Sequence, residues 1–428
     1  MFFFMLYMNI CDSDSSFFRC YIFGEYMSNN RPQYKRIGSG RNEIIRALCE
    51  NGALPYDFLS MFPYRLDYME KLAHRMNNEG IVNISYNSTK PSKRKKIITF
   101  TNFSKVLPVI QGGLTDTQII KYQDNQNVSK DIRYGDGSKQ QRLYRNIESN
   151  MFFHYSNIPT YSTERKELGT MDDIDSLAFY TSIEIKASAL YQDDVYKEDG
   201  IKKIIGSRMT GLYVSPGGVY SVFDSGKGKT RYEKTGEIKM KMAVNYAMNF
   251  SVKSQMKNDA GIILHRSNKI YELLFTETDE RNDWSLNSLM TVYPNLYLIE
   301  VSDNGRKQIQ LMGEPYWRKR ILDELIISDV QTPQMKYDGY DNENNECILF
   351  GGIVDISSLQ NFIWTARTSK DMGKNERYTL ICFEFQKDLY KSIANNLCDI
   401  HVCDMDRLIK ACEFNVFDTQ GKLIGEAI

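Results

Sequence analysis

Asp224, Glu237 and Lys239 are the residues whose types and spacing come nearest to catalytic chemistry in this chain. Two carboxylates can hold Mg²⁺, and the lysine of Glu237-Ile238-Lys239 can activate water or offset charge on a phosphate. Twelve residues separate Asp224 from Glu237, which fits a PD-(D/E)xK nuclease pattern, and a second Glu-x-Lys stands at Glu184-Ile185-Lys186 on an expected strand. The bland explanation is strong. Glu-x-Lys arises readily by chance where a quarter of the residues are charged, and no proline precedes Asp224. Glu237 also falls at the start of an expected helix over 235–250, where a carboxylate serves the helix dipole or a cap. P-loop, GxSxG, HExxH and paired-histidine motifs are absent. The chain is therefore read as non-enzymatic, with an Mg-dependent nuclease as the alternative.

A different chemistry, the grip on phosphate and base edges, is suggested by Arg65, Tyr68, Lys71 and Arg75 and by the run Lys90, Lys93, Arg94, Lys95 and Lys96. Helical spacing of Ile44, Ile45, Leu48 and Cys49 predicts a first helix over 41–51, ended by Gly52. Pro55 opens a short second helix burying Phe58, Leu59 and Phe62, and Pro63 breaks it. From Leu66 the stripe Leu66, Met69, Leu72, Ala73 and Met76 predicts a third helix, whose opposite face carries Arg65, Tyr68, Lys71 and Arg75. Two half-buried strands follow, through Val82, Ile84 and Tyr86 and through Ile98 and Phe100, and the turn between them carries the basic run. This is winged helix-turn-helix order. The third helix would read bases in the major groove while Lys93 to Lys96 hold phosphate. Arg31, Lys35 and Arg36 would form an arm to a neighbouring groove.

Charge distribution supports the module more than the total does. The 54 Lys and Arg balance 54 Asp and Glu, yet residues 27–110 hold 14 basic and 6 acidic residues. Counterion release draws such a patch to duplex DNA without sequence preference. At 428 residues and 42% hydrophobic the chain is long enough for two or three globular domains. Residues 1–40 read as a flexible extension, 41–110 as the DNA-binding domain, 111–140 as a linker and 141–428 as a mixed α/β domain. The opening run MFFFMLYM lacks a basic n-region and is too short to span a bilayer, so no membrane partner is expected. Met27 is the expected natural start. Eight cysteines without a CxxC pair suit a reducing cytoplasm. Cys398, His401, Cys403 and Cys412 match no standard zinc spacing, so no metal and no cofactor are assigned.

In the second domain, strands are expected over 177–185, 211–214, 219–223, 261–264, 296–301, 348–354 and 380–385, and helices over 235–250, 314–327 and 387–396. Pro216, Gly217 and Gly218 supply a hairpin turn, and residues 378–403 read as a strand, helix, strand crossover. The expected class is α+β or α/β.

The N-terminal module resembles the winged helices of replication-relaxation proteins of plasmids and integrative conjugative elements of Gram-positive bacteria. TSIEIKAS at 181–188, GSRMTGLYVSPGGVYSVFDSG at 206–226 and YEKTGEIKMKMAV at 232–244 resemble segments of uncharacterised proteins of the same elements. The resemblance implies binding of double-stranded DNA in replication, transfer or maintenance of a mobile element and a degenerate restriction-endonuclease-like core in the second domain, and carries over no active-site residue. Replication or transfer proteins of that element, or a second copy of the chain, would then be the partners of the second domain. A winged-helix transcription regulator is the remaining alternative.

Overall fold

Gly40–Asn51 forms helix α1 in the computed structural model, which describes residues 40–87, 95–110, 118–126, 137–162, 164–168, 177–190, 207–226, 232–249, 259–275, 286–325, 337–418 and 422–424. The expected N-terminal extension and Met27 lie outside these. Ile44, Ile45, Ala47, Leu48 and Cys49 are buried, and Gly52 leaves the helix at φ 72°, a conformation that costs glycine nothing. Strand β1 (Leu54–Pro55) follows, and then the expected second helix is a single 3-10 turn, Tyr56–Met61. Pro63 ends it, because the residue before a proline is driven to extended backbone and Phe62 stands at φ −68°, ψ 150°. Helix α2 (Leu66–Asn78) buries Met69, Leu72, Ala73 and Met76. Leu66, expected on the same stripe, is 45% exposed because it lies one turn ahead of the core contact.

Strands β2 (Val82–Tyr86) and β3 (Lys96–Phe100) complete an antiparallel sheet in the order β1-β3-β2. β3 is not half-buried as alternation implied: Ile97, Ile98, Thr99 and Phe100 are all inside. It is the central strand, with α1 and the 3-10 turn packed against it. Helix α3 is Phe103–Ile110. Within the stretch read as a linker, residues 118–126 form helix α4. Its Asn125 Nδ2 donates to the carbonyls of Cys49 and Glu50 at 3.0 and 2.8 Å, satisfying acceptors that the end of α1 leaves open. Polar composition here reflects capping of a neighbouring helix.

The body is a mixed α/β structure. Helix α5 (Gly137–His154) precedes a five-stranded sheet in the order β4-β5-β6-β7-β8, built from Ala178–Thr181, Met209–Ser215, Gly218–Gly226, Ala260–His265 and Asn295–Glu300. β4, β5 and β6 run antiparallel, and β6, β7 and β8 run parallel. The strand expected over 177–185 stops at Thr181, and helix α6 (Ser182–Leu190) begins. Thr181 and Glu184 form a reciprocal cap: Thr181 N donates to Glu184 Oε2 at 2.8 Å, and Glu184 N donates to Thr181 Oγ1 at 3.4 Å. The second Glu-x-Lys therefore lies on a helix. α7 (Lys234–Asn249) crosses from β6 to β7, and α8 (Lys269–Phe275) and α9 (Leu286–Val292) lead to β8.

After α10 (Asp303–Gly313) and α11 (Trp317–Glu324) comes a second sheet, β12-β11-β10-β9. Its strands are β9 (Gly339–Asp341), β10 (Glu346–Phe350), β11 (Arg377–Phe383) and β12 (Asp399–Cys403). α12 (Ile356–Asp371) connects β10 to β11, α13 (Lys387–Ala394) connects β11 to β12, and α14 (Met405–Ala411) follows. β11 and β12 pair in parallel around α13, the crossover that residues 378–403 predicted. One hydrophobic cluster runs from α1 and α2 through α5 into both sheets, so the N-terminal elements share a core with the body.

Candidate nucleic-acid interface

Helix α2 presents a mixed set of donors and acceptors to solvent. Arg65 stands at its N-cap with its guanidinium 3.2 Å from Asp67, and Tyr68 is 43% exposed against Tyr64. Lys71 and Arg75 are exposed and form no ion pair among the described residues. With Tyr56, Asp67, Glu70, His74 and Asn78 they line a surface hollow. His74 Nε2 meets Tyr56 Oη at 3.3 Å, and Lys96 Nζ lies 4.9 Å from the Tyr56 ring, tying the helix face to the base of the ribbon. The cations of this face are thus interleaved with Asp67 and Glu70, which the reading of the basic stripe passed over. Carboxylates there accept from cytosine N4 and repel phosphate, the chemistry of base selection more than of general affinity.

Lys90, Lys93 and Arg94 lie outside the described residues. Lys95 is exposed, and its ammonium lies 4.7 Å from the Tyr144 ring of α5. Asn87 fixes the same place, accepting from Lys95 N at 2.8 Å and donating to Tyr144 Oη at 3.3 Å, while Gln140 Nε2 donates to the Asn87 carbonyl. The ribbon base is anchored on α5.

Asp224, Glu237 and Lys239 are not joined by any hydrogen bond or ion pair among the described residues. Asp224, at the end of β6, is 1% exposed, and its Oδ1 accepts from Gly226 N at 2.7 Å. Burial, reinforced by Glu148 of α5, pushes its pKa well above the ordinary aspartate value and so works against its charge. Glu148 in turn accepts from Arg266 Nε, and that guanidinium lies 5.6 Å from the Phe58 ring of the 3-10 turn. An arginine thus satisfies Glu148 where a divalent cation would need it.

Glu237 serves other partners. It sits in the first turn of α7, fully buried, and accepts from Ser207 Oγ at 2.8 Å and Arg208 N at 2.6 Å. Its carboxylate reaches across to the start of β5 instead of capping its own helix, and burial raises its pKa to about 7. Lys239 is half-buried on α7. Among the described residues no group of three or more His, Cys, Asp or Glu is placed to hold a metal ion, and that includes Cys398, His401, Cys403 and Cys412.

A buried ionic junction holds α1 against the body. Glu50 accepts from Tyr122 Oη at 2.8 Å and from Lys121 Nζ at 3.0 Å, and Lys121 also reaches Glu184 at 3.1 Å. Burial opposes charge on Glu184, but Arg165 and Lys121 outweigh it and bring its pKa to about 2. Beside them His154 and Glu164 approach to 3.7 Å. Burial lowers His154 to about 3 and raises Glu164 to about 8 in spite of Arg46. Sequence spacing alone gave no sign of this junction, whose members come from five separate segments.

No family model, curated protein or solved structure matches the chain. No helix of the described residues is long and apolar enough to cross a membrane.

Proposed function

We propose that residues 40–110 act as a winged helix and that the chain is a non-catalytic duplex-DNA-binding protein. The observation that carries this reading is helix α2. It lies between a 3-10 turn and a two-stranded ribbon, buries one stripe and turns Tyr68, Lys71 and Arg75 to solvent beside Lys96. In the proposed complex α2 enters the major groove, where Lys71 and Arg75 donate to guanine and Asp67 and Glu70 accept from cytosine. The ribbon, with Lys90, Lys93, Arg94 and Lys96, follows the phosphates. Lys95 contributes through its seat on Tyr144 to the position of the ribbon.

The non-catalytic part rests on the carboxylates. Asp224 is buried and bonded to Gly226 N, Glu148 is satisfied by Arg266, and Glu237 is bonded to Ser207 and Arg208, so a nuclease would have to rearrange all three. A restriction-endonuclease-like ancestry of the five-stranded sheet, with its catalytic set decayed, fits this disposition. Replication, transfer or maintenance of a mobile element is the process proposed, on the resemblance of the N-terminal module.

The test is a salt-titrated binding assay with pooled duplex fragments, with and without Mg²⁺. Selective retention of intact fragments that weakens steeply as salt rises is the expected result. No retention at about 50 mM salt would overturn the proposal. Cutting that requires Mg²⁺ and is lost in Glu237→Ala would replace it with the nuclease.

A further inference from the structure

One end of the five-stranded sheet collects cations. Thr181 pairs with Gly211, Met209 with Phe223, and Gly226 with His265, so the end of β4, the start of β5 and the ends of β6 and β7 lie together. Arg208 enters β5 there, Arg266 leaves β7 there, and α6, carrying Lys186, starts directly after β4. α5 lies over the same end, since Ser149 Oγ donates to Thr210 Oγ1 at 2.9 Å. Arg142 and Arg145 precede Ser149 by seven and four residues and so share its face of the helix.

Among the described residues the acids at this end do not balance the cations. Asp224 is buried against Glu148, which disfavours its charge, and Glu148 accepts from Arg266, leaving Glu237 to face Arg142, Lys186 and Arg208. Burial, then the charge of Arg142, lowers Lys186 to about 8; burial, then the charge of Arg208, lowers Arg142. Those are the marks of cations crowding one another. Arg142 and Lys186 are half-buried, Arg208 is exposed, and none of the three forms an ion pair among the described residues. The same helix α5 holds the ribbon base through Gln140 and Tyr144, so one helix carries both the cluster and the anchor of the proposed DNA face.

We infer that Arg142, Lys186 and Arg208 form a second phosphate-binding surface, which grips the DNA backbone beyond the segment held by α2 and the ribbon. This rests on the DNA-binding reading for the identity of its ligand, though not for the existence of an anion site. The footprint is then bipartite: α2 selects sequence and the sheet end adds length and affinity.

The first test compares the full chain with the triple variant Arg142→Gln, Lys186→Gln, Arg208→Gln on a duplex long enough to span both surfaces. Loss of three phosphate contacts lowers the slope of log affinity against log salt by about 2.7 and leaves sequence preference intact. An unchanged slope in a folded variant overturns the inference and leaves the role of α2 standing. The second test uses the parent chain, so that misfolding cannot obscure it: the rate of acylation of Lys186, read by peptide mapping, with and without the duplex and with inorganic phosphate. Slowing by the duplex assigns the surface to DNA. If the chain retains no duplex yet inorganic phosphate slows Lys186, the DNA reading fails and the anion site stands. No slowing by either overturns the site.

Discussion

Replacement of Glu164 by glutamine should make the protein more stable above neutrality and flatten its pH dependence. Glu164 lies at the junction of α1 with the body, 3.7 Å from both His154 and Arg46, with its side chain 12% exposed. Burial raises its pKa from 4.5 to about 8, so the folded protein holds the proton more tightly than the unfolded chain does. The stability this contributes is complete below pH 4.5 and is lost as pH rises through about 8. One proton corresponds to about 1.4 kcal/mol per pH unit, so the interval sets a ceiling of about 5 kcal/mol. Glu237, raised to about 7, adds a fall of the same sign, whereas His154, lowered to about 3, adds a rise from there to pH 6.5. Both occur in parent and variant and cancel in the difference. Urea unfolding at several pH values between about 5 and 8 measures it. The parent should lose several kcal/mol relative to Glu164→Gln across that range. Parallel profiles would refute the reasoning, because they would mean that Glu164 is ionised in its buried place.

Three further outcomes are expected. Lys71→Gln with Arg75→Gln should erode discrimination between duplexes and lower the salt slope by no more than about 1.8, a ceiling reached only if both residues also touch phosphate; competition binding reads both effects. Gly217→Ala should destabilise by about 3 kcal/mol or more in thermal unfolding, since its Cβ would lie 2.1 Å from the Met312 carbonyl oxygen and 2.6 Å from that of Glu314, backbone atoms that cannot rotate away. Tyr122→Phe should cost about 1–3 kcal/mol in urea unfolding, as it removes a 2.8 Å donor from a Glu50 that is 8% exposed, and no change would mean that Lys121 and Ser162 satisfy that carboxylate unaided.

Much of the N-terminal unit was legible because its elements carry their own periodicity. The stripe Met69, Leu72, Ala73 and Met76 fixes α2, and Gly52 and Gly80, at φ 72° and 71°, mark stops that glycine alone adopts easily. β1 was not legible, since two residues give no period. The capping box Thr181-Ser182-Ile183-Glu184 was in plain view, but the apolar alternation running through it pointed to a longer strand. α10 and α12 were missed although Ser302 and Asp355 cap them, accepting from Gly305 N and Ser358 N, because no sharp apolar stripe accompanied the caps. The site was harder still. Glu148 gains its meaning from Arg266, 118 residues away, and such a pairing leaves no trace in local spacing.

The carboxylates show most clearly how the fold alters what the sequence suggests. Read along the chain, Asp224 and Glu237 are two negative charges beside a lysine, and the natural complement is a metal ion. Folded, Asp224 is buried against Glu148 and Glu237 is sealed under Ser207 and the start of β5. Removal from water raises both pKa values, that of Glu237 to about 7, so both carboxyls are less charged than their formal count implies. Burial of acids therefore acts on the sheet end as addition of cations would. Arg142, Lys186 and Arg208 keep their access to solvent while the charges that would offset them are withdrawn into the core. Arg142, Arg145, Lys186, Arg208 and Arg266 already outnumber Asp224, Glu148 and Glu237 at this end, burial of the acids widens that excess, and the complement of such a patch is an anion. On the proposed reading, the residues whose order suggests cleavage of a phosphodiester instead leave Arg142, Lys186 and Arg208 to hold its backbone intact.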